Sequence, residues 1–145
     1  MMYNNIIEVE DLIGAPFAKR GRSLVTGVDC FGLLMECQRR LGKPIPDHHS
    51  PEYHEEIALA LANGKRDWTE HYERTGAEPV PLSACKAGRV LLIKIRGCAC
   101  HVGFIHKDGW FIHCWEDTNG VTAERISLWR QRILGVYEYN GGGDA

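Results

Sequence analysis

Two residues of this 145-residue chain have the type and setting for covalent chemistry, a cysteine that opens an amphipathic run and a histidine that opens a β-type run. Cys30 follows the turn Gly27-Val28-Asp29 and begins the segment CFGLLMECQRRL. The unpaired N–H groups and positive dipole end of a helix N-terminus favour an anion, which lowers a thiol's pKa towards the reactive thiolate. The same groups stabilise the oxyanion of a tetrahedral intermediate. Asp29 stands where a capping residue belongs. His101 supplies a base near neutral pH and begins His101-Val102-Gly103-Phe104-Ile105-His106, whose alternation puts His101, Gly103 and Ile105 on one face. Gly103 on that face permits close approach of a backbone or ligand. Twelve positions after His101 comes His113, an imidazole suited to hold the first in one tautomer as the third member of a triad. Taken singly, each has a plainer reading: Cys30 as a buried core thiol beside a cap, and each histidine as a satisfied strand residue. His48, His49, His54, His71 and His106 are read in that plainer way.

Whether the two histidines meet depends on the turn Lys107-Asp108-Gly109 between them. Asp-Gly suggests a two-residue loop, which pairs Ile105 with Ile112 and Phe104 with His113 and puts His113 on the face opposite His101. A three-residue loop with Gly109 in the left-handed region instead pairs His106 with Trp110 and Gly103 with His113. The catalytic reading requires that odd-length loop, with positive φ at Gly109.

The elements that position these residues follow from punctuation and periodicity. Residues 30–41 place Cys30, Leu34, Cys37 and Leu41 on one helical face, with Gln38, Arg39 and Arg40 towards water, and Gly42 stops the helix. A second helix is expected from Ser50-Pro51 to about Gly64, and a short third around Trp68 to Glu73. Glu78-Pro79-Val80-Pro81 reads as a loop. Beyond it Val90–Ile95, Val102–His106, Trp110–Cys114 and Leu134–Tyr139 are short β-branched or aromatic runs bounded by Gly, Asp and Asn. Ala123–Arg132 reads as a helical turn or short helix carrying Ile126 and Trp129 inward. Helices followed by a meander of strands predict an α+β fold, N-terminal helices on an antiparallel β-sheet.

The length suits one domain, expected over residues 1–140, with 141–145 a disordered tail. A net charge of -2 gives no electrostatic reason for a nucleic acid or an anionic membrane as partner, and no apolar run reaches the roughly 18 residues of a membrane span. The first eight residues have neither a basic nor an apolar leader region, so synthesis in the cytoplasm without a signal peptide is expected. Reduced thiols are then the expectation for all six cysteines. No metal site is expected, because Cys98 and Cys100 are closer together than structural zinc ligands usually are and no second pair completes the set. No cofactor is implied.

Four pieces resemble the NlpC/P60 family of papain-like cysteine peptidases: Leu12-Ile13-Gly14-Ala15-Pro16-Phe17, Gly27-Val28-Asp29-Cys30-Phe31-Gly32-Leu33, His101-Val102-Gly103-Phe104-Ile105 and Phe111-Ile112-His113. The resemblance runs from about Leu12 to Tyr139. It implies a papain-like fold and cleavage of amide bonds in the peptide stems of bacterial cell wall. Nucleophile, base and orienting residue would fall on Cys30, His101 and His113. Phe17 stands where many relatives have a tyrosine thought to line the oxyanion side, so Phe17, Asp29 and Gly103 are the expected lining of the substrate or oxyanion side. Cys100 stands where relatives often have a small polar residue. Gly42-Lys43-Pro44-Ile45-Pro46-Asp47 and Ile133-Leu134-Gly135-Val136-Tyr137 resemble members found among phage tail proteins, which implies tail proteins as partners and a virion-associated location. The same scaffold also admits a non-catalytic tail-tip component, or an acyltransferase or deamidase.

Overall fold

The computed structural model describes residues 6–47, 76–95 and 97–139, with residues 98–100 described as backbone only. The helices expected after Ser50 and around Trp68, His48, His49, His54 and His71, the tail, and the side chains of Cys98 and Cys100 lie outside the described residues.

A two-stranded ribbon of β1 (Arg22–Ser23) and β2 (Gly27–Val28) leads into the helix α1, Cys30–Leu41. The Asp29 side chain caps α1 by accepting from the Gly32 amide, and Gly42, at φ 87, closes its other end. An apolar face alone would not seat the start of this helix. A Cβ on Gly32 would collide with the Gly21 carbonyl, so the glycine lets α1 begin against the backbone that precedes β1. Gln38, expected towards water, is fully buried and donates to the Lys43 carbonyl at 3.0 Å, securing the chain just after the helix. Arg40 pairs with both Asp11 and Glu36.

The later strands among the described residues form one antiparallel sheet of β3 (Ala77–Val80), β4 (Val90–Ile95), β5 (Cys98–Lys107), β6 (Trp110–His113), β7 (Thr122–Arg125) and β8 (Ile133–Tyr139), in the order β3-β8-β4-β5-β6-β7. The segment expected to be a loop is β3. Its Pro79 is tolerated because β3 is an edge strand, where a missing N–H breaks no ladder on the open side. Of the expected helical turn, the first part is β7 and only Ile126–Arg132 coils, as 3-10 turns carrying Ile126 and Trp129 into the core.

Alternation splits the core into two layers. Val90, Leu92, Val102, Phe104 and Ile112 pack beneath Phe31, Leu33, Leu34 and Cys37 of α1. Leu91, Ile93, Ile105, Phe111, Trp115, Ile126, Trp129 and Val136 fill the opposite side.

The hairpin between the histidines takes neither expected form. Asp108-Gly109 is a two-residue turn, with Gly109 at φ 84 and Lys107 opposite Trp110. A bulge between Ile105 and Lys107 then restores Ile105 opposite Phe111 and Phe104 opposite Ile112. The extra residue thus sits in β5, at His106, instead of in the loop, and the change of parity is the same. His106 itself is buried with Nδ1 lacking a hydrogen-bond partner among the described residues, unlike the satisfied residue expected.

Candidate active site

On the sheet face away from the α1 core, His101 and His113 meet. Nε2 of His101 lies 2.9 Å from Nδ1 of His113, and the rings cross at 65° with centroids 5.1 Å apart. Both side chains are 0% exposed. On the same face Gly103 makes room beside them: a Cβ there would fall 2.6 Å from Phe111 Cδ2 and 3.6 Å from His113 Cβ. The close approach expected at Gly103 is therefore made by the Phe111 ring, itself 4.6 Å from the His113 ring centroid.

Aromatic rings close the cluster. Trp115 lies against His101 with centroids 5.7 Å apart, and Trp129 meets His113 edge-on at 5.0 Å. Thr118 fixes the Trp115 backbone, accepting from its amide at 3.0 Å and donating to its carbonyl at 2.9 Å. The Arg132 guanidinium stacks over Trp129 from outside, 3.8 Å from the ring centroid.

Sequence reasoning did not single out Glu124, the fourth polar member. Its Oε2 lies 2.8 Å from His113 Nε2, and its Oε1 accepts from the Trp129 indole N–H at 2.8 Å. Thr122 of β7 faces His113 across the ladder, so Glu124, two residues on, reaches the imidazole diagonally along the same face. A lone Glu in a short strand carries no spacing signal; only the β6–β7 register reveals it.

Burial, the largest influence, pushes both imidazoles down to about 3. For His101 the charges of Asp29 and Glu124 oppose it, and for His113 the neighbouring His101 adds to it. Both rings are thus neutral at pH 7. Burial raises the Glu124 pKa, but the Trp129 and His113 hydrogen bonds outweigh it, and the carboxyl sits below the usual range.

Cys30, 1% exposed, is the first residue of α1, and the adjacent Asp29 is close enough for its charge to act on His101. Asp29 is 2% exposed and doubly held, by the Gly32 amide at 2.7 Å and by Arg22 at 2.8 Å, while Arg22 also grips Asp47. Phe17 bridges to Val28 of β2 and packs against the core around α1. Cys37 and Cys114 have settings unlike an activated nucleophile. Cys37 lies in the core, where burial pushes its pKa up to about 12, and Cys114 donates to the Val28 carbonyl at 3.3 Å.

A thiol at the head of a helix, an antiparallel sheet beneath it and a histidine pair on adjacent strands together define a papain-like α+β architecture. Residues 14–138 match the model of the NlpC/P60 family, and the chain belongs to that family. Solved structures agree in fold. The NlpC/p60 domain of the peptidoglycan hydrolase SagA is 18% identical with a TM-score of 0.58, over 87% of this chain and 88% of that one. An NlpC/P60 family protein from Bacillus cereus is 20% identical with a TM-score of 0.61, over 88% of this chain and 36% of its own length. The peptidoglycan hydrolase RipB from Mycobacterium tuberculosis is 15% identical with a TM-score of 0.57, over 88% of this chain and 58% of that one. This chain thus spans little more than a third of the Bacillus cereus protein. No curated protein matches the chain.

Proposed function

We propose that the protein is a cysteine hydrolase that cleaves amide bonds in the peptide stems of peptidoglycan, with Cys30 as nucleophile, His101 as base and His113 as the residue that orients it. The observation that carries this reading is the buried His101–His113 pair, whose 2.9 Å contact occupies Nε2 of His101 and so supports a role for its Nδ1 as the base. Family membership, and the peptidoglycan hydrolases SagA and RipB among the structural neighbours, support the substrate class.

The Cys30 proton passes to His101 Nδ1 and the thiolate sulfur attacks the amide carbon, while the positive end of α1 stabilises thiolate and oxyanion. The C–N bond then breaks as His101 returns that proton to the leaving amine. Water adds to the acyl carbon, giving a proton to Nδ1, and the C–S bond breaks to regenerate the thiol. Phe17 has no hydroxyl to offer the oxyanion, so the backbone at the start of α1 carries that role. Asp29, held by Arg22 and Gly32, borders the substrate side. We assign the setting to a phage tail assembly, supported by the Gly42–Asp47 and Ile133–Tyr137 resemblances.

Purified wall peptides digested with wild-type protein and analysed by mass spectrometry test the reading. Cleavage is expected with wild type and, in Cys30→Ala, a fall on the order of 10³-fold or more with the fold retained. Cleavage by Cys30→Ala at the wild-type rate would overturn the nucleophile assignment.

A further inference from the structure

We infer that Glu124 is a positioning residue that sets the tautomers of both histidines, a relay that runs Glu124–His113–His101 and ends at His101 Nδ1. The inference rests on the Cys30–His101 reading for its effect on catalysis, but the relay itself is fixed by hydrogen-bond chemistry.

An ionised carboxylate only accepts, and an indole N–H only donates. With Trp129 Nε1–H on Oε1 and the carboxyl held in its ionised form, Oε2 accepts from His113 Nε2, which must therefore carry the proton. A neutral His113 has one N–H, so its Nδ1 is an acceptor. The 2.9 Å contact to His101 is then a bond donated by His101 Nε2–H. A neutral His101 is left with its lone pair on Nδ1, the form a general base needs. Each step follows because every ring nitrogen in the chain has one role left to it. Trp129 is part of the device: 6% exposed, it claims one carboxylate oxygen and so leaves the other to His113.

The consequence is specific to Glu. A glutamine at 124 has one acceptor oxygen for two donors. If that oxygen stays with Trp129, the amide NH₂ faces His113 Nε2, which must become an acceptor. His113 Nδ1 is then protonated, His101 Nε2 accepts, and the His101 proton sits on Nδ1, where it blocks the base. An almost isosteric change thus reverses the relay without removing any side chain from it. Replacing Trp129 by Phe removes the competing donor and lets a glutamine turn its oxygen to His113, which restores the original tautomers.

The test uses the full chain, labelled with ¹⁵N at histidine, and compares wild type, Glu124→Gln, Trp129→Phe and the double variant. Long-range ¹H–¹⁵N correlations report which nitrogen of each ring carries the proton, and cleavage of wall peptides reports kcat. Wild type is expected with Nε2–H on both rings. Glu124→Gln is expected with Nδ1–H on both and kcat down by about 10²- to 10⁴-fold, as when an orienting carboxylate becomes an amide in a hydrolase triad. The double variant is expected to regain Nε2–H and to exceed Glu124→Gln in kcat at least tenfold, a recovery that a purely structural role for Glu124 does not produce. Unchanged tautomers in folded Glu124→Gln, or a double variant no better than Glu124→Gln, would overturn the inference. If wild type shows the relay but cleaves no wall peptide, the relay stands and the hydrolase reading fails.

Discussion

Gly103 contributes no functional group, yet the packing beside the histidines rests on it, because the Phe111 ring, 4.6 Å from the His113 ring centroid, occupies the space a Cβ would take. Gly103→Ala is expected to cost about 1–3 kcal/mol by overpacking and to push Phe111 against His113. Urea denaturation checks the first effect, and the His101–His113 signals in histidine spectra check the second; a variant as stable as wild type with unaltered histidine signals would contradict the packing argument. Cys37 gives a second residue-scale test. Enclosed in the core with its pKa pushed up to about 12, it should resist iodoacetamide in the native protein and react only on unfolding, as mass spectrometry of the alkylated peptide would show. The helix start at Cys30, the Asp29 cap and the meeting of His101 and His113 on the face of Gly103 were legible in the sequence because each sits in a local pattern with chemical meaning: a helix start, a cap, an alternating run. Glu124 was not, because what singles it out is a cross-strand diagonal, and the register between β6 and β7 is no local property of either strand.

At the scale of elements, α1 could be read from Cys30 to Leu41 because both ends carry chemical punctuation, the Asp29 cap and the left-handed Gly42. Asp29 does two things there, and substitution separates them. Asp29→Ala removes the bond to the Gly32 amide and the ion pair with Arg22, and is expected to cost about 1–2 kcal/mol, while Asp29→Asn keeps a capping oxygen and is expected to lose less. Thermal unfolding of the pair checks the order; equal losses would show that the ion pair, not the cap, dominates. The elements that were misread share one cause. Pro79 argues against a strand until the sheet order makes β3 an edge, and the spacing of Ile126 and Trp129 fits a helical turn while saying nothing of the four residues of β7 before it. The hairpin shows the same limit: the parity needed for His101 and His113 to share a face could be derived, but whether the extra residue lay in the turn or in β5 depended on packing beyond the hairpin.

For the molecule as a whole, enclosing two imidazoles makes stability depend on pH in a definite direction. Unfolded, His101 and His113 titrate near 6.5; folded, burial pushes both down to about 3. Between those values the unfolded chain binds protons that the folded protein excludes, so acid favours unfolding. The stability conferred by neutral, buried histidines is complete above pH 6.5 and is lost as pH falls from there towards 3, at roughly 1.4 kcal/mol per pH unit for each proton excluded. The two rings share one hydrogen bond and interact, so their contributions are expected to merge into one steep phase. Carboxylates held below their usual range, such as Asp11 and Glu36 in their arginine pairs, also weaken the fold in acid, but only from about pH 5 downwards, where they begin to protonate in the unfolded chain. The window from about pH 6.5 to 5 therefore isolates the histidines. Urea unfolding across that window should show a steep loss for wild type and a shallower one for His113→Gln, which has one imidazole fewer to protonate on unfolding. The comparison rests on slopes, so a lower absolute stability of the variant does not disturb it. Equal slopes in the two proteins would mean that His113 is protonated in the folded state at pH 5, and the neutral relay from Glu124 to His101 could not then exist in that range.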